Sequence, residues 1–212
     1  MPAPYATLEA LATGIEAMGS LSPEYWDRMM HPVPVVPCID RADWLLKRLA
    51  GKTVLHLGCV GPLHEGLLKV CTRVYGIDLE PLDRGPGQAA SYPDYVRLDL
   101  DDLDGPLPVS AGVQAVLLGE VLEHLTMPGL LLRLVREAYP GVEVLISVPN
   151  AAADGLRHHL ARGYENVHAG HMAWYSWKTL STLVERCGFA VQEWYWCGEK
   201  PLFAEGLLMV VR

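Results

Sequence analysis

The chain has 212 residues, half of them hydrophobic and a fifth charged, with 17 basic against 25 acidic side chains and a net charge of −8. That length suits one well-buried domain, and no apolar run approaches the ~18 to 20 residues that a membrane span needs. The acidic balance disfavours sequence-blind binding to nucleic-acid phosphates while leaving room for a local basic groove.

In chain order, the N-terminus has neither the basic flank nor the unbroken apolar core of a signal peptide, so a cytoplasmic protein is expected. The segments "ATLEALATGIEAMG", "SPEYWDRMM" and "DRADWLLKRLAG" read as helices, the second capped by Ser22 with Pro23 at its first position and the third closed by Gly51. Between the last two, "HPVPVVP" is too proline-rich for either regular element. Residues 1–50 are expected to form a helical cap that belongs to the same domain as residues 51–212. In that cap Tyr25, Trp26 and His31 serve either as substrate contacts or as core packing.

From residue 52 short apolar runs alternate with helical stretches, the signature of a parallel sheet covered by helices. The predicted strands are "KTVLHLG", "RVYGIDL", "DYVRLDL", "VQAVLLG", "VEVLISV", "AVQEWYW" and "GLLMVVR", and the clearest helices are "LHEGLLKVC", "MPGLLLRLVREAY" and "SWKTLSTLVERCG". The last two strands are joined without a helical pattern and are expected to pair as an antiparallel hairpin. The fold class is therefore α/β: a Rossmann-like, seven-stranded mixed sheet of five parallel strands plus a terminal hairpin. Cys38, Cys59, Cys71, Cys187 and Cys197 are scattered without a CxxC pair, which points to buried small residues instead of disulfides or a zinc knuckle.

Ligands of open α/β sheets lie beyond the carboxyl ends of the strands. After the first strand of this region, Gly58 and Gly61 in "HLGCVGP" allow a tight turn and close approach of a ligand to the backbone. After the second, Asp78 can accept hydrogen bonds from the two hydroxyls of a ribose, or be a solvated turn residue. After the third, Asp99 can accept from an exocyclic base amine, whereas Asp101, Asp102 and Asp104 read as a solvated acidic loop. Three such signals at consecutive strand ends point to a bound nucleoside. The nicotinamide fingerprint G-x-G-x-x-G is not met by the spacing of Gly58, Gly61 and Gly66.

The motifs "TVLHLGCVGP", "VYGIDLE", "VRLDLDD" and "AVLLGEVLEHL", followed by "VEVLISVPN" and "HMAWYSWKTLSTLVERCGF", resemble the class I S-adenosylmethionine (SAM)-dependent methyltransferases, within them a subgroup with an EVLEH signature. The resemblance runs from about residue 40 to the C-terminus. It implies SAM as cofactor, with His56, Gly58, Cys59 and Gly61 around the methionine part, Asp78 and Leu79 at the ribose, Asp99 and Leu100 at the adenine, and Glu120 at the mouth of the methyl-transfer pocket. Two departures stand out: His56 replaces the family's usual acidic residue, and Val60 and Pro62 replace glycines. The implied activity is O- or N-methyl transfer to a small-molecule acceptor, with a catalytically degenerate SAM-binding partner protein as an alternative.

Glu120, Glu123 and His124 are spaced i, i+3 and i+4, so a helical turn from residue 120 to 125 would place them on one face. Two oxygens and a nitrogen suit Mg²⁺ or Mn²⁺. The stretch resembles that of two metal-using groups, the small-RNA 3′-end 2′-O-methyltransferases and the quinone-biosynthesis O-methyltransferases, and by resemblance to the RNA group the set would include His171, five residues before Ser176. RNA is then an alternative acceptor, against the acidic charge. Without a metal, Glu120 lines the pocket, Glu123 is a solvated helix residue, and His124 packs or acts as a general base. Residues 150–171 form a long connection in which Arg157, His158, His159 and Arg162 belong either to a lid over the substrate or to a short surface helix.

Overall fold

The computed structural model describes residues 28–59, 62–80, 94–103, 105–108 and 112–212. Gly61, Val60, Asp104, Tyr25, Trp26 and the first two expected helices lie outside the described residues, apart from a helical Arg28 and Met29. The chain divides into two compact units, Met1–Pro34 and Val35–Arg212. No helix among the described residues is long and apolar enough to cross a membrane.

The second unit opens with β1 (Cys38–Ile39) and α1 (Arg41–Leu49). Asp40 caps α1 by accepting from the Asp43 N–H at 2.8 Å. There follow β2 (Thr53–Leu57), α2 (Pro62–Val70), β3 (Arg73–Asp78), β4 (Tyr95–Arg97) and β5 (Ala115–Gly119). After a single 3₁₀ turn at Leu122–His124 come α3 (Pro128–Ala138), β6 (Glu143–Pro149), α4 (Asp154–Leu160), α5 (Trp177–Arg186), β7 (Val191–Cys197) and β8 (Gly206–Val211). Ser176 and Thr179 cap α5 reciprocally, each side chain bonding the other's backbone N–H.

The strands form one sheet in the order β1-β7-β8-β6-β5-β2-β3-β4. β2 to β6 are mutually parallel where they pair, and β8 lies antiparallel between β6 and β7. This is the expected mixed sheet with its terminal hairpin, with one strand more than expected. The extra strand, β1, is two residues that pair parallel with β7 through Cys38 and Trp196. Its sequence follows the proline-rich segment and is too short for an alternation to be visible.

Central strands read as unbroken apolar runs because both faces are covered. In β2, Val54 packs with Leu45 and Leu49 of α1 and Leu67 of α2, while Leu55 and Leu57 pack with Leu131, Leu132 and Val135 of α3 and Leu180 and Val184 of α5. β5 alternates in the same way, Ala115 and Leu117 on one face and Val116 and Leu118 on the other. The chain leaves β2 toward β3 and β4, then returns to β5 on the other side of β2. That reversal places a crevice at the carboxyl ends of β2 and β5.

Candidate functional site at the carboxyl ends of the strands

Gly58 follows β2 with φ +68°, a left-handed conformation that side chains resist, and its N–H extends the β2–β3 ladder to the Ile77 carbonyl at 2.8 Å. A Cβ added there would stand 2.3 Å from Cγ2 of Val121, so the turn after β2 and the turn after β5 touch with no spare volume. Cys59 is buried, and burial, reinforced by the nearby Asp78 carboxylate, pushes its thiol up to about 12. It is a neutral packing group at physiological pH, not a nucleophile.

Asp78 ends β3. Its carboxylate accepts from the Glu80 N–H at 3.0 Å, and its carbonyl accepts from the Leu98 N–H at 2.9 Å and the Tyr95 hydroxyl at 3.1 Å. Asp99 is exposed and turns the chain by accepting from the Asp101 N–H at 2.9 Å. Asp101 departs from the expected solvated loop: its carboxylate binds Thr126 through the backbone N–H and the hydroxyl, both at 2.9 Å, and Met127 N–H at 3.3 Å. It ties the loop after β4 to the loop before α3.

The residues after β5 do not form the expected helical turn. Glu120 has φ +58°, which turns the chain sharply before the 3₁₀ turn begins, and its carboxylate is taken by the Arg41 guanidinium and by the Ser147 hydroxyl at 3.1 Å. Glu120, Glu123 and His124 are therefore not set on one face of a helical turn. Glu123 is 1% exposed, with both carboxylate oxygens buried and without a hydrogen-bond partner, so the solvated-helix reading is also wrong. Burial, with a further push from Glu120, raises its pKa to about 8 and leaves it mostly protonated at neutral pH.

His124 faces His171 and His168, with ring centroids 4.6 and 5.5 Å away. The possible ligand atoms of these three imidazoles all lie within 4.8 Å of one another, whereas Glu120 and Glu123 are not part of that group. Nδ1 of His124 is 3.2 Å from the Gly170 carbonyl, which can only accept, so Nδ1 carries a proton and the lone pair of the neutral ring is on Nε2. His168 is the reverse: its Nδ1 accepts from the Gly170 N–H at 3.1 Å. Nδ1 of His171 is buried without a partner, and burial followed by the two neighbouring rings lowers its pKa.

A cavity of about 850 Å³ joins these features; His56, Gly58, Cys59, Asp78, Leu79, Asp99, Leu100, Glu120, Glu123, His124 and His171 all line it. Arg41, His64 and His168 also line it and were not anticipated. His168 had a visible signal, the H-x-x-H spacing with His171, but Arg41 and His64 sit in ordinary helical patterns. Arg157 and His158 line a different, more open cleft of about 590 Å³, and Arg157 packs over the Phe203 ring at 4.5 Å. The 150–171 segment thus contains the short surface helix α4, and its later part contributes the two histidines.

The profile of a family described as "Methyltransferase domain" matches residues 37–193. The chain belongs to this methyltransferase family. As an enzyme, it is a SAM-dependent methyltransferase. No curated protein sequence matches it. Among solved structures, the fold resembles small RNA methyltransferase HEN1 at 16% identity and TM-score 0.64, covering 86% of this methyltransferase and 27% of that chain, so it spans about a quarter of HEN1. It also resembles N-methyltransferase NodS from Bradyrhizobium japonicum with bound S-adenosylhomocysteine (SAH), at 20% identity and TM-score 0.55, over 82% and 88% of the two chains. A third likeness is to Burkholderia thailandensis 1,6-didemethyltoxoflavin-N1-methyltransferase, at 19% identity and TM-score 0.58, over 100% and 92%. The site fits the cofactor: an acid stands at each of two successive strand ends, a glycine turn adjoins them, and the volume lies within the ~300 to 1,000 Å³ of small-molecule sites.

Proposed function

We propose that this methyltransferase moves the methyl group of SAM to an oxygen or nitrogen of a small polar acceptor, with His124 as the general base. The observation that carries this reading is the meeting of Asp78, Asp99, Gly58, Glu120 and His124 in one cavity at the sheet's switch point. Bound SAM supplies a sulfonium methyl that a lone pair can displace. Asp78 accepts from the ribose hydroxyls and Asp99 from the adenine amine, which fixes the nucleoside end. Glu120, held by Arg41 and Ser147, is a rigid anionic wall near the sulfonium. His124 takes the acceptor's proton on Nε2, and its Nδ1–H stays on the Gly170 carbonyl as the ring becomes cationic. Arg41 joins the proposed cofactor site because its guanidinium offsets the Glu120 charge. The test is SAH release from SAM across a panel of small hydroxyl and amine acceptors. Tight SAH binding with no turnover on any of them would favour the binding-only alternative.

A second reading has its own observation, the unpartnered Glu123 carboxyl in the cavity that the histidine cluster also lines. Mg²⁺ or Mn²⁺ bound by Glu123, His124 and His171 would polarise an acceptor hydroxyl such as the 2′-hydroxyl of an RNA. The fit is partial. Glu120 is engaged by Arg41, and Glu123 is not in the group of ligand atoms that lie within 4.8 Å of one another, which holds His124, His168 and His171. Calorimetry with Mn²⁺ alone decides: binding that His171→Ala abolishes supports the metal, and the absence of binding removes it.

A further inference from the structure

A short turn ahead of α5 carries two of the three clustered imidazoles. It runs from His168 to His171 and is closed by the His171 N–H on the His168 carbonyl at 3.0 Å. Gly170, its third residue, does not have a positive φ, so the backbone there does not require glycine. Space requires it. A Cβ at Gly170 would stand 3.2 Å from Nδ1 of His124 and 3.3 Å from Nδ1 of His168, closer than ordinary contact, because both rings come down onto this one residue.

Each ring meets a different polar group of Gly170. Its carbonyl accepts from Nδ1 of His124 at 3.2 Å, and its N–H donates to Nδ1 of His168 at 3.1 Å. A neutral imidazole has one N–H and one lone pair, and the bond made by one nitrogen decides the state of the other. His124 is then protonated on Nδ1 and bare on Nε2, whereas His168 is bare on Nδ1 and protonated on Nε2. Two rings with centroids 5.5 Å apart, both lining the cavity, are thus set in opposite tautomers by a single residue. The main chain holds that residue in place: the Met172 and Ala173 N–H groups donate to the carbonyl of Glu123, the neighbour of His124, at 2.6 and 3.2 Å. A side chain at Gly170 that displaced the His124 ring by a few tenths of an ångström would stretch a 3.2 Å bond beyond hydrogen-bond length.

We propose that Gly170 is a positioning residue of the methyl-transfer site: its carbonyl, its N–H and its lack of a side chain hold His124 as the tautomer that takes a proton on Nε2, with His168 beside it as an N–H donor. The inference rests on His124 as the general base and deepens that reading.

The test reads the ring nitrogens in ¹⁵N–¹H spectra of the full chain at about pH 8.5, above the ordinary histidine value of ~6.5, with signals assigned from His124→Ala and His168→Ala. Nδ1 of His124 should be protonated and Nδ1 of His168 unprotonated; the same tautomer in both rings overturns the proposal, and this readout stands even if no Gly170 variant folds. Gly170→Ala should move the signals of both rings while those of His158 and His159 stay in place. Unmoved His124 and His168 signals overturn the proposal as well. With any acceptor that is turned over, Gly170→Ala should lower kcat roughly 10-fold, a part of what a general base supplies, and leave SAH affinity within about two-fold. In a His124→Ala background it should lower kcat no further, because groups that act as a unit are non-additive. An equal loss in both backgrounds overturns the proposal. A kcat that His124→Ala leaves unchanged would overturn the base reading and the catalytic role of Gly170 with it, while opposite tautomers in the spectra would still stand.

Discussion

His124 lines the cavity and is oriented by a hydrogen bond from Nδ1 to the Gly170 carbonyl at 3.2 Å, which leaves Nε2 as its second ring nitrogen. General-base catalysis contributes about 10²- to 10⁴-fold, so His124→Ala should lower kcat by that order while SAH affinity stays within about two-fold. Steady-state rates paired with calorimetry check it; a parallel loss of SAH affinity would make His124 a cofactor ligand. At this scale the sequence was informative about the cavity-lining residues that sit at strand ends. Asp78, Asp99, Glu120 and His124 were legible because each follows an apolar run. The roles of Glu120 and Glu123 were not, because helical spacing presumes helical backbone. The positive φ at Glu120 sends its side chain to Arg41, a partner 79 residues away in sequence.

The turns after β2 and β5 are packed against each other through Gly58 and Val121, and this contact sets where the crevice opens. Gly58→Ala adds a methyl where 2.3 Å is available and forces alanine into φ +68°, so we expect about 2 to 5 kcal/mol of destabilisation in urea unfolding. Val121→Ala removes the clashing methyl but not the backbone strain. The double variant should therefore recover part of the loss, an interaction energy of about 1 to 3 kcal/mol. Strict additivity would show that the contact is not made. The glycine itself is legible in the sequence as a turn. Its partner is not, since Val121 reads as one more apolar residue in "GEVLEHL" and only the sheet order brings the two strand ends together. The same limit hid β1, whose two residues gain their conformation from pairing with β7.

Across the whole unit, the opposite end of the sheet from the cavity is held by charge. Glu143, the first residue of β6, is 5% exposed and bonds Arg48 at 2.9 and 3.2 Å and Lys52 at 3.1 Å, while Arg48 reaches on to Glu193 of β7 at 2.8 Å. Burial alone would raise the Glu143 pKa, but the hydrogen bonds from Arg48 and Lys52 outweigh it and hold the carboxyl below its ordinary 4.5. A depressed folded-state pKa stabilises the fold above the unfolded value and is lost as pH falls through the folded one. Unfolding free energy should thus have a Glu143-dependent component that is present above the ordinary carboxyl value of 4.5 and is lost as pH falls below it through the depressed folded-state value. Glu143→Gln should flatten that slope. It should also cost about 1 to 3 kcal/mol at pH 7, less than a fully buried pair because Arg48 and Lys52 are a third exposed. An unchanged acid slope would contradict this assignment. The alternation of apolar runs and helices made the layered fold readable from the chain, since each run must be buried on both faces. The charge cluster was not readable, because its bonded pairs lie 91 to 145 residues apart in sequence.

The most direct measurement is calorimetric titration of the full chain with SAH, alongside its Asp78→Ala variant. The unmodified protein should bind one molecule saturably, and Asp78→Ala should bind roughly 10- to 100-fold more weakly while unfolding at a similar temperature. No binding by the unmodified protein, or equal binding by the variant, would contradict the placement of the cofactor at the carboxyl ends of β2, β3 and β4.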